Sequence, residues 1–279
     1  MSDAITSDAP APARQAGLGE VAVVVLTHNR AHLLPKCVEN VLLRTSPATR
    51  EIVIWDNASS DETAEYLGAL DDPRITVVHS KTNIGQNAYA EAFRLTSAPY
   101  LVELDDDVVG APERWDEMLL DAFVRLPSIG FLAADLEDDP HDEASQVRHH
   151  VRPHEYTLVE ENGVRLLRGP TGGGCAITSR ELNERVGGFR QDKKRVFWLE
   201  DQAYIADIER LGFGAAVLAD LRVHHTGGPY YTRTSKEKDA YWKEYERRLA
   251  RRARVKQVLY RLPLVPRLNR RFAWFRPPT

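Results

Sequence analysis

The sequence predicts an α/β fold in which a mostly parallel sheet carries helices on both faces. Short apolar runs typical of buried strands alternate with segments of helical periodicity between residues 20 and 104, and the connections are short. Polar loops follow the apolar runs, and right-handed crossovers place such loops together at one edge of a parallel sheet. Ligands bind at that edge in open α/β sheets.

The first half of the chain contains four predicted strands. They are Val21–Leu26, Glu51–Trp55, Arg74–His79 and Tyr100–Leu104. Helices are predicted between them, over residues 33–42, 59–70 and 83–97. The second of these begins at Ser59-Ser60-Asp61-Glu62, which is typical of a helix start with acids in the first turn.

The second half of the chain follows a less regular pattern. Residues 137–165 are polar and predict short antiparallel strands and loops. The remaining predicted helices are Pro112–Leu126, Arg180–Val186, Leu199–Leu211 and a long charged helix over 235–260. The remaining predicted strands are Ile129–Ala134, Cys175–Thr178 and Ala215–Leu221.

Composition limits the class of protein. With 279 residues and 43% hydrophobic content the chain can form one sizeable core, and it has no 18-residue apolar segment. Cys37 and Cys175 form no metal motif, which favours a reducing compartment. Residues 1–19 lack a signal-peptide pattern and predict a flexible tail. We therefore expect a cytoplasmic protein.

The most informative feature is a run of three aspartates, Asp105–Asp107, after the apolar run Tyr100–Leu104. Carboxylates so close together repel one another, and burying them without a counter-ion is costly. A divalent cation with oxygen ligands, often one that already carries phosphates, relieves both costs. The triplet therefore predicts a metal–diphosphate site, with a solvated acidic turn as the alternative.

Other acids also follow predicted strands or begin predicted helices. Asp56 ends the second strand, where its carboxylate can accept a hydrogen bond from a base N–H or a ribose hydroxyl, or can simply be part of a helix cap. Glu200 and Asp201 follow the bulky run Val196–Leu199. One interpretation is a general base whose pKa is raised toward neutrality by aromatic surroundings. The other is a pair of acids that complement a helix dipole.

Two neighbouring histidines, His224 and His225, follow the last predicted strand and precede Thr-Gly-Gly. Adjacent side chains on an extended segment point to opposite faces. We therefore expect at most one of the two to reach a given metal, and a structural role is the alternative for either.

Eight short motifs along residues 20–230 together resemble a known family. They are Val23–Arg30, Ile54–Asp61, Asn83–Gly85, Leu104–Asp107, Gly172–Ile177, Gly187–Phe189, Trp198–Asp201 and Val223–Gly228. In this order and spacing they resemble the family 2 glycosyltransferases, inverting enzymes with the GT-A fold, and especially the rhamnosyltransferase-like single-domain members. The resemblance implies a Rossmann-like sheet, with a nucleotide-binding half over 20–110 and a smaller, mixed acceptor and catalytic half over 111–230.

The resemblance implies roles for individual residues. Asp107, Asp105 and His225, rather than His224, match positions that hold Mg²⁺ or Mn²⁺ on the diphosphate, and Asp107 is the preferred ligand of the three aspartates. Asp201, beside Glu200, matches the general base. Nucleotide contacts are implied for Thr27, Asn29, Arg30, Asp56, Asn83, Asp105 and Asp106. A donor and acceptor pocket is implied at Gly173, Gly174 and Trp198.

The implied function is metal-dependent, inverting transfer of a hexosyl or deoxyhexosyl group from a UDP, dTDP or GDP sugar. The acceptor is a hydroxyl of a glycan, glycolipid or other glycoconjugate, as in polysaccharide biosynthesis. A sugar nucleotidyltransferase is one alternative, although Thr27–Arg30 is not the Gly-rich, basic phosphate loop that we expect of that class. A non-catalytic nucleotide-sugar or glycan-binding protein on the same scaffold is another.

Residues 231–279 predict a basic helical extension. The whole chain has a net charge of −4. From Lys243 to Thr279 there are 12 Lys or Arg and 2 Glu, so the remaining residues 1–242, the body of the chain, carry a net charge of −14. The acidic body argues against a nucleic-acid partner. The basic, aromatic extension favours peripheral docking on an anionic membrane, such as the inner face of the plasma membrane, that carries a lipid-linked acceptor. Packing on its own domain or on a homodimer mate is the alternative.

Overall fold

The structure, a computed structural model, describes residues 19–138, 153–226 and 236–260. Nearly all of the predicted N-terminal tail, 1–19, and the end of the predicted C-terminal extension, 261–279, lie outside the described residues. The domain boundaries given above therefore stay predictions.

The described strands form a single ten-stranded sheet. They are β1 (Val21–Thr27), β2 (Thr49–Asp56), β3 (Ile75–His79), β4 (Tyr100–Asp105), β5 (Val108–Gly110), β6 (Ile129–Asp138), β7 (Thr157–Glu161), β8 (Val164–Arg168), β9 (Cys175–Ser179) and β10 (Gly214–His225). The strand order is β3-β2-β1-β4-β9-β6-β10-β8-β7, and β5 pairs with β10.

The first four strands form a parallel block, because β1 pairs in parallel with both β2 and β4, and β2 pairs in parallel with β3. The second half is mixed. β9 lies antiparallel between β4 and β6, while β6 and β10 are parallel neighbours. Antiparallel strands were predicted over 137–165, of which residues 139–152 lie outside the described residues; the described part forms the β7–β8 hairpin, which extends the same sheet. The α/β fold class is confirmed.

Helices cover both faces of this sheet. They are α1 (Leu34–Arg44), α2 (Thr63–Gly68), α3 (Ala88–Ala92), α4 (Trp115–Val124), α5 (Arg180–Val186), α6 (Glu200–Arg210) and α7 (Lys236–Tyr260), with short 3₁₀ turns at 85–87, 93–95 and 153–155. In the described part of the chain, no helix is long and apolar enough to cross a membrane.

Two buried clusters lie on opposite faces of β1. Val21, Val23 and Val25 pack with residues of α1, α2 and α4, whereas Ala22 and Val24 pack with residues of α3, α5 and α6. A strand that is buried on both faces has no polar side to expose, which explains the unbroken apolar run in the sequence.

Two helix predictions were wrong in extent. The segment over residues 59–70 is helical only from Thr63, because Ser59 and Asp61 accept hydrogen bonds from backbone N–H groups of the loop after β1. The predicted helix over 83–97 is broken into two 3₁₀ turns around α3. Its Asn87 amide donates to the carbonyl oxygens of Asp192 and Arg195, which are distant in sequence.

The last strand is longer than predicted. β10 continues past Leu221 through both histidines, with register shifts between Leu218 and Arg222 and between His224 and His225. The histidines therefore lie on the strand rather than after it.

Candidate functional site

The polar strand ends meet at one edge of the sheet, as predicted. Asp56 lies beside Thr27 of β1 and His79 of β3, and Asp105 lies beside Leu26 of β1. The loop after β4 is connected to the end of β10, because the backbone N–H of Thr226 donates to the carbonyl oxygen of Asp107 at 2.9 Å. This edge of the sheet is the candidate site.

The three predicted metal ligands lie close together here. Ligand atoms of Asp105, Asp107 and His225 all lie within 4.8 Å of one another. His225 Nε2 is 3.0 Å from Asp107 Oδ1 and 3.4 Å from Asp105 Oδ2. The Asp107 side chain is fully buried, and among the described residues neither of its oxygens accepts a hydrogen bond of good geometry. Two carboxylates and an imidazole with such unused acceptors fit a divalent cation.

The electrostatics of the triplet differ from one residue to the next. Burial opposes ionisation of Asp107, but His225 and Arg30 outweigh it and hold the pKa of Asp107 below its usual range. Burial raises the pKa of Asp106 to about 7, although the Arg30 guanidinium opposes the rise. Asp107 is therefore ionised beside His225, whereas Asp106 is buried and outside the Asp105–Asp107–His225 group.

The structure distinguishes the two histidines. The register places His224 opposite Gly110 of β5 and His225 opposite Val108, with a shift between them. A Cβ atom on Gly110 would lie 3.2 Å from the Cβ of His224, so His224 packs closely over β5. Of the two, only His225 belongs to the group of three ligands.

Asp56 is held by its neighbours in a buried position. Its Oδ1 accepts a hydrogen bond from the backbone N–H of Ser59 at 2.9 Å, and its Oδ2 lies 3.1 Å from His79 Nδ1. His79 was missed in the sequence as a site residue. The available signal was its position at the end of the strand next to β2, since residues at the ends of neighbouring parallel strands lie side by side.

The predicted loop residues Asn29 and Asn83 form hydrogen bonds with loop backbone. The side-chain oxygen of Asn29 accepts a hydrogen bond from the Ser60 backbone N–H at 2.7 Å, and the side-chain oxygen of Asn83 accepts one from the Gly85 backbone N–H at 2.8 Å. Asn29 has a φ of 53°, which Asn tolerates better than most residues. Arg30 is buried, and its positive charge helps to lower the pKa of Asp107 and opposes the rise in the pKa of Asp106.

The segment Gly172–Gly174 lies between the Asp105–Asp107–His225 group and the predicted base, Asp201. The backbone N–H of Gly173 donates to Asp201 Oδ2 at 3.0 Å, and the carbonyl oxygen of Gly174 accepts from the Asp105 backbone N–H at 2.8 Å. A Cβ atom on Gly172 would lie 3.1 Å from Asp201 Oδ2, and one on Gly174 would lie 3.4 Å from Asp105 Oδ2. The two acidic centres therefore lie at the two ends of a three-residue segment.

Two more carboxyl groups lie beside Asp201. Burial raises the pKa of Glu200 well above its usual range, and the charges of Asp201 and Glu103 add to the rise. Glu103 is 2% exposed, and neither of its carboxyl oxygens has a hydrogen-bond partner among the described residues. Burial, followed by the charges of Asp201 and Asp105, raises its pKa as well. Both acids therefore favour the protonated form.

Glu103 was missed in the sequence because it stands inside the run Tyr100–Leu104, which was interpreted only as a strand. A charged residue in an otherwise apolar strand was the available signal. Trp198, predicted to line the pocket, is partly buried, and its indole N–H has no hydrogen-bond partner among the described residues. That donor lies three residues before Asp201 in the chain.

The α/β sheet and the acidic groups at its edge are typical of GT-A glycosyltransferases. The family model for glycosyl transferase family 2 matches residues 22–187, and the chain belongs to this family. The chain is also 32% identical over 97 residues to the "Putative colanic acid biosynthesis glycosyl transferase WcaA" of Escherichia coli (strain K12). That match covers 34% of each protein.

Solved structures share the fold at low sequence identity. The mannosyltransferase PcManGT from Pyrobaculum calidifontis, solved with GDP-Man and Mn²⁺, is 23% identical with a TM-score of 0.54 over 75% of this chain and 57% of that one. TarS 1–349 of S. aureus, solved with UDP-GlcNAc, is 17% identical with a TM-score of 0.55 over 77% and 61%. GalNAc-T7, solved with UDP, GalNAc and Mn²⁺, is 17% identical with a TM-score of 0.56 over 76% and 45%. The chain thus spans about a third of the curated relative and less than two thirds of these solved chains.

Proposed function

We propose that the chain is a metal-dependent, inverting glycosyltransferase that moves a hexosyl or deoxyhexosyl group from a nucleoside-diphosphate sugar to an acceptor hydroxyl. One observation carries the proposal. The Asp105–Asp107–His225 group and Asp201 lie at opposite ends of the segment Gly172–Gly174. Two Cα–Cα steps span at most about 7 Å, which suits a sugar held between a leaving group and a base.

The leaving-group end would hold Mg²⁺ or Mn²⁺ through Asp105, Asp107 and His225. When bound there, the cation would neutralise the negative charge that develops on the departing nucleoside diphosphate. The ionised state of Asp107 and the burial of its carboxylate without a hydrogen bond of good geometry support this role. Arg30 adds a fixed positive charge close to Asp107 and to the neighbouring Asp106.

The acceptor end would use Asp201 as the general base. The Gly173 N–H donates to Asp201 Oδ2, which orients the carboxylate. Glu200 favours the protonated form and is therefore the weaker candidate for accepting a proton. Removal of the hydroxyl proton lets the acceptor oxygen attack the anomeric carbon in line with the departing diphosphate, which inverts that carbon. A second carboxylate close by, as retaining glycosidases need for a nucleophile, is not required.

The donor would be a UDP, dTDP or GDP sugar. Asp56 at the sheet edge offers a carboxylate to a base N–H, and the contact with His79 fixes its orientation. The solved structures of similar fold contain GDP-Man, UDP-GlcNAc or UDP, which supports a nucleotide-sugar donor for this chain. The relative named for colanic acid biosynthesis supports a glycan acceptor of the kind built in polysaccharide biosynthesis.

The base assignment is tested by turnover of UDP, dTDP and GDP sugars with Mn²⁺ and a panel of hydroxyl acceptors. Asp201→Asn should lower the release of nucleoside diphosphate by about 100-fold or more, whereas Glu200→Gln should lower it less than about tenfold. Asp220→Asn, at an exposed ion pair with Arg165, is the matched control and should not change the rate. Wild-type turnover by Asp201→Asn would refute the assignment.

A further inference from the structure

The described side chains of helix α7 are largely exposed. Of its described side chains between residues 243 and 255, all are exposed except Tyr245, which is partly buried. Leu249 and Val255 are 46% and 51% exposed, so the helix also presents apolar groups to the surroundings. Packing in the core therefore does not explain the sequence of this helix.

The arginines of α7 differ from those of the body in their partners. Surface arginines of the body form ion pairs with carboxylates, as at Arg44, Arg94, Arg114, Arg125, Arg165, Arg168, Arg190 and Arg222. Arg247, Arg251 and Arg254 form no ion pair with any carboxylate among the described residues, while Arg248 pairs with Glu244. The positive charges of Arg247, Arg251 and Arg254 are therefore left available to a partner.

The three arginines share one side of the helix. Their spacing of four and then three residues is the spacing at which helical side chains are neighbours. An anionic surface that meets this side would contact all three at once. Residues 1–235, which precede α7, carry a net charge of −14, so this part of the chain repels an anionic partner and the arginines of the helix attract it.

We propose that the arginine face of α7, formed by Arg247, Arg251 and Arg254, docks on an anionic lipid bilayer. We choose this partner because its negative charge complements the arginine face, and the sequence after α7 supports the choice. Residues 261–279 contain five arginines and no acid, together with Phe272, Trp274 and Phe275. Basic side chains with Trp and Phe are typical of segments that lie at a membrane interface.

The helix also contacts the segment that leads into α6. Arg195 donates to both carboxylate oxygens of Glu244, at 3.0 and 3.1 Å. Arg195 lies five residues before Glu200, in the segment that leads into the helix bearing Asp201. Docking through α7 would thus hold this segment near the bilayer, where a lipid-linked acceptor would be presented. That last consequence rests on the proposed function, whereas the docking itself does not.

Vesicle sedimentation tests the docking. The full chain is mixed with vesicles of 30% phosphatidylserine in phosphatidylcholine, or of phosphatidylcholine alone, in 0.1 M salt. Each basic side chain near such a surface strengthens binding by about fivefold, so the triple variant R247Q/R251Q/R254Q should bind the anionic vesicles about 100-fold more weakly. The triple variant R50Q/R94Q/R165Q removes the same charge from paired arginines of the body and should bind like the wild type.

Several outcomes would overturn the proposal. They are equal binding of both triple variants, equal binding of the wild type to the two kinds of vesicle, or binding of the wild type to an RNA duplex but not to vesicles. Arginine-dependent dimers in sedimentation velocity without vesicle binding would indicate a second copy as the partner. Turnover with a soluble acceptor is measured in parallel, so a failed docking proposal is separable from a failed glycosyltransferase proposal.

Discussion

Gly173→Ala should destabilise the protein by forcing a methyl group onto a buried carboxyl group. The added Cβ would lie 2.1 Å from Glu103 Oε1, whereas ordinary van der Waals contact begins at 3.4 Å. Glu103 has little room to move, because its neighbours in the sheet, Val24 and Ala176, are also buried. The φ of Gly173 is not positive, so the backbone itself tolerates alanine and the clash alone accounts for the effect.

The expected loss in the free energy of unfolding is about 2 kcal/mol, the usual cost of overpacking a core by a methyl group. Glu103→Ala alone should stay within about 1 kcal/mol of the wild type, since it creates a cavity but removes a buried, unpaired carboxyl group. In the double variant the clash is absent. We expect it to regain at least about 1 kcal/mol relative to Gly173→Ala alone.

Urea unfolding at pH 7 of the wild type, both single variants and the double variant measures this coupling. Gly68→Ala is the matched control, because nothing lies within 4 Å of its added Cβ and alanine favours the helix it ends. It should match or exceed the stability of the wild type. An unchanged unfolding midpoint for Gly173→Ala, or a double variant no more stable than Gly173→Ala, would refute the close contact with Glu103.

Two more predictions concern the acids Glu200 and Asp116. Folded Glu200 keeps its proton at pH values where the unfolded chain has lost it, so this group lowers stability as pH rises from about 4.3 toward its raised folded pKa. The stability of Glu200→Gln relative to the wild type should therefore increase between pH 5 and pH 8, by at most about 1.4 kcal/mol per pH unit; a pH-independent difference in urea unfolding would contradict the raised pKa. Asp116 accepts hydrogen bonds from Ser46 N, Ser46 Oγ and Thr49 Oγ1 at 2.7–2.9 Å. Asp116→Ala should lower the free energy of unfolding by about 3 kcal/mol. Asp121→Ala, at a half-exposed side chain, is the control, and equal unfolding midpoints for the two variants would contradict the role of Asp116.

The parallel half of the fold was predictable because its strands are buried on both faces. An unbroken apolar run such as Val21–Leu26 has one reasonable interpretation, and the polar residues that end each strand predict the ligand edge. The bounds of Arg180–Val186 were also correct. Ser179 accepts a hydrogen bond from the Leu182 N–H at its start and Gly187 has a positive φ at its end, so both end signals are local.

Contacts between distant segments were not predictable in the same way. Asn87 bonds to residues 192 and 195 and breaks a helix that local periodicity favours. The extension of β10 through His225 depends on pairing with β5 and β6. The pairing of His79 with Asp56 and the burial of Glu103 likewise depend on which strands become neighbours, which no local pattern specifies.

The most direct test of the metal site is calorimetric binding of nucleoside diphosphates, with and without Mn²⁺, to the wild type and to Asp107→Asn and Asp201→Asn. Mn²⁺ should tighten binding to the wild type and to Asp201→Asn by at least about tenfold, and it should have little effect on Asp107→Asn because the buried ligand has lost its charge. Urea unfolding confirms that each variant is folded. An Asp107→Asn variant that keeps the Mn²⁺ dependence of the wild type would contradict the assignment of the Asp105–Asp107–His225 group as the site of the catalytic cation.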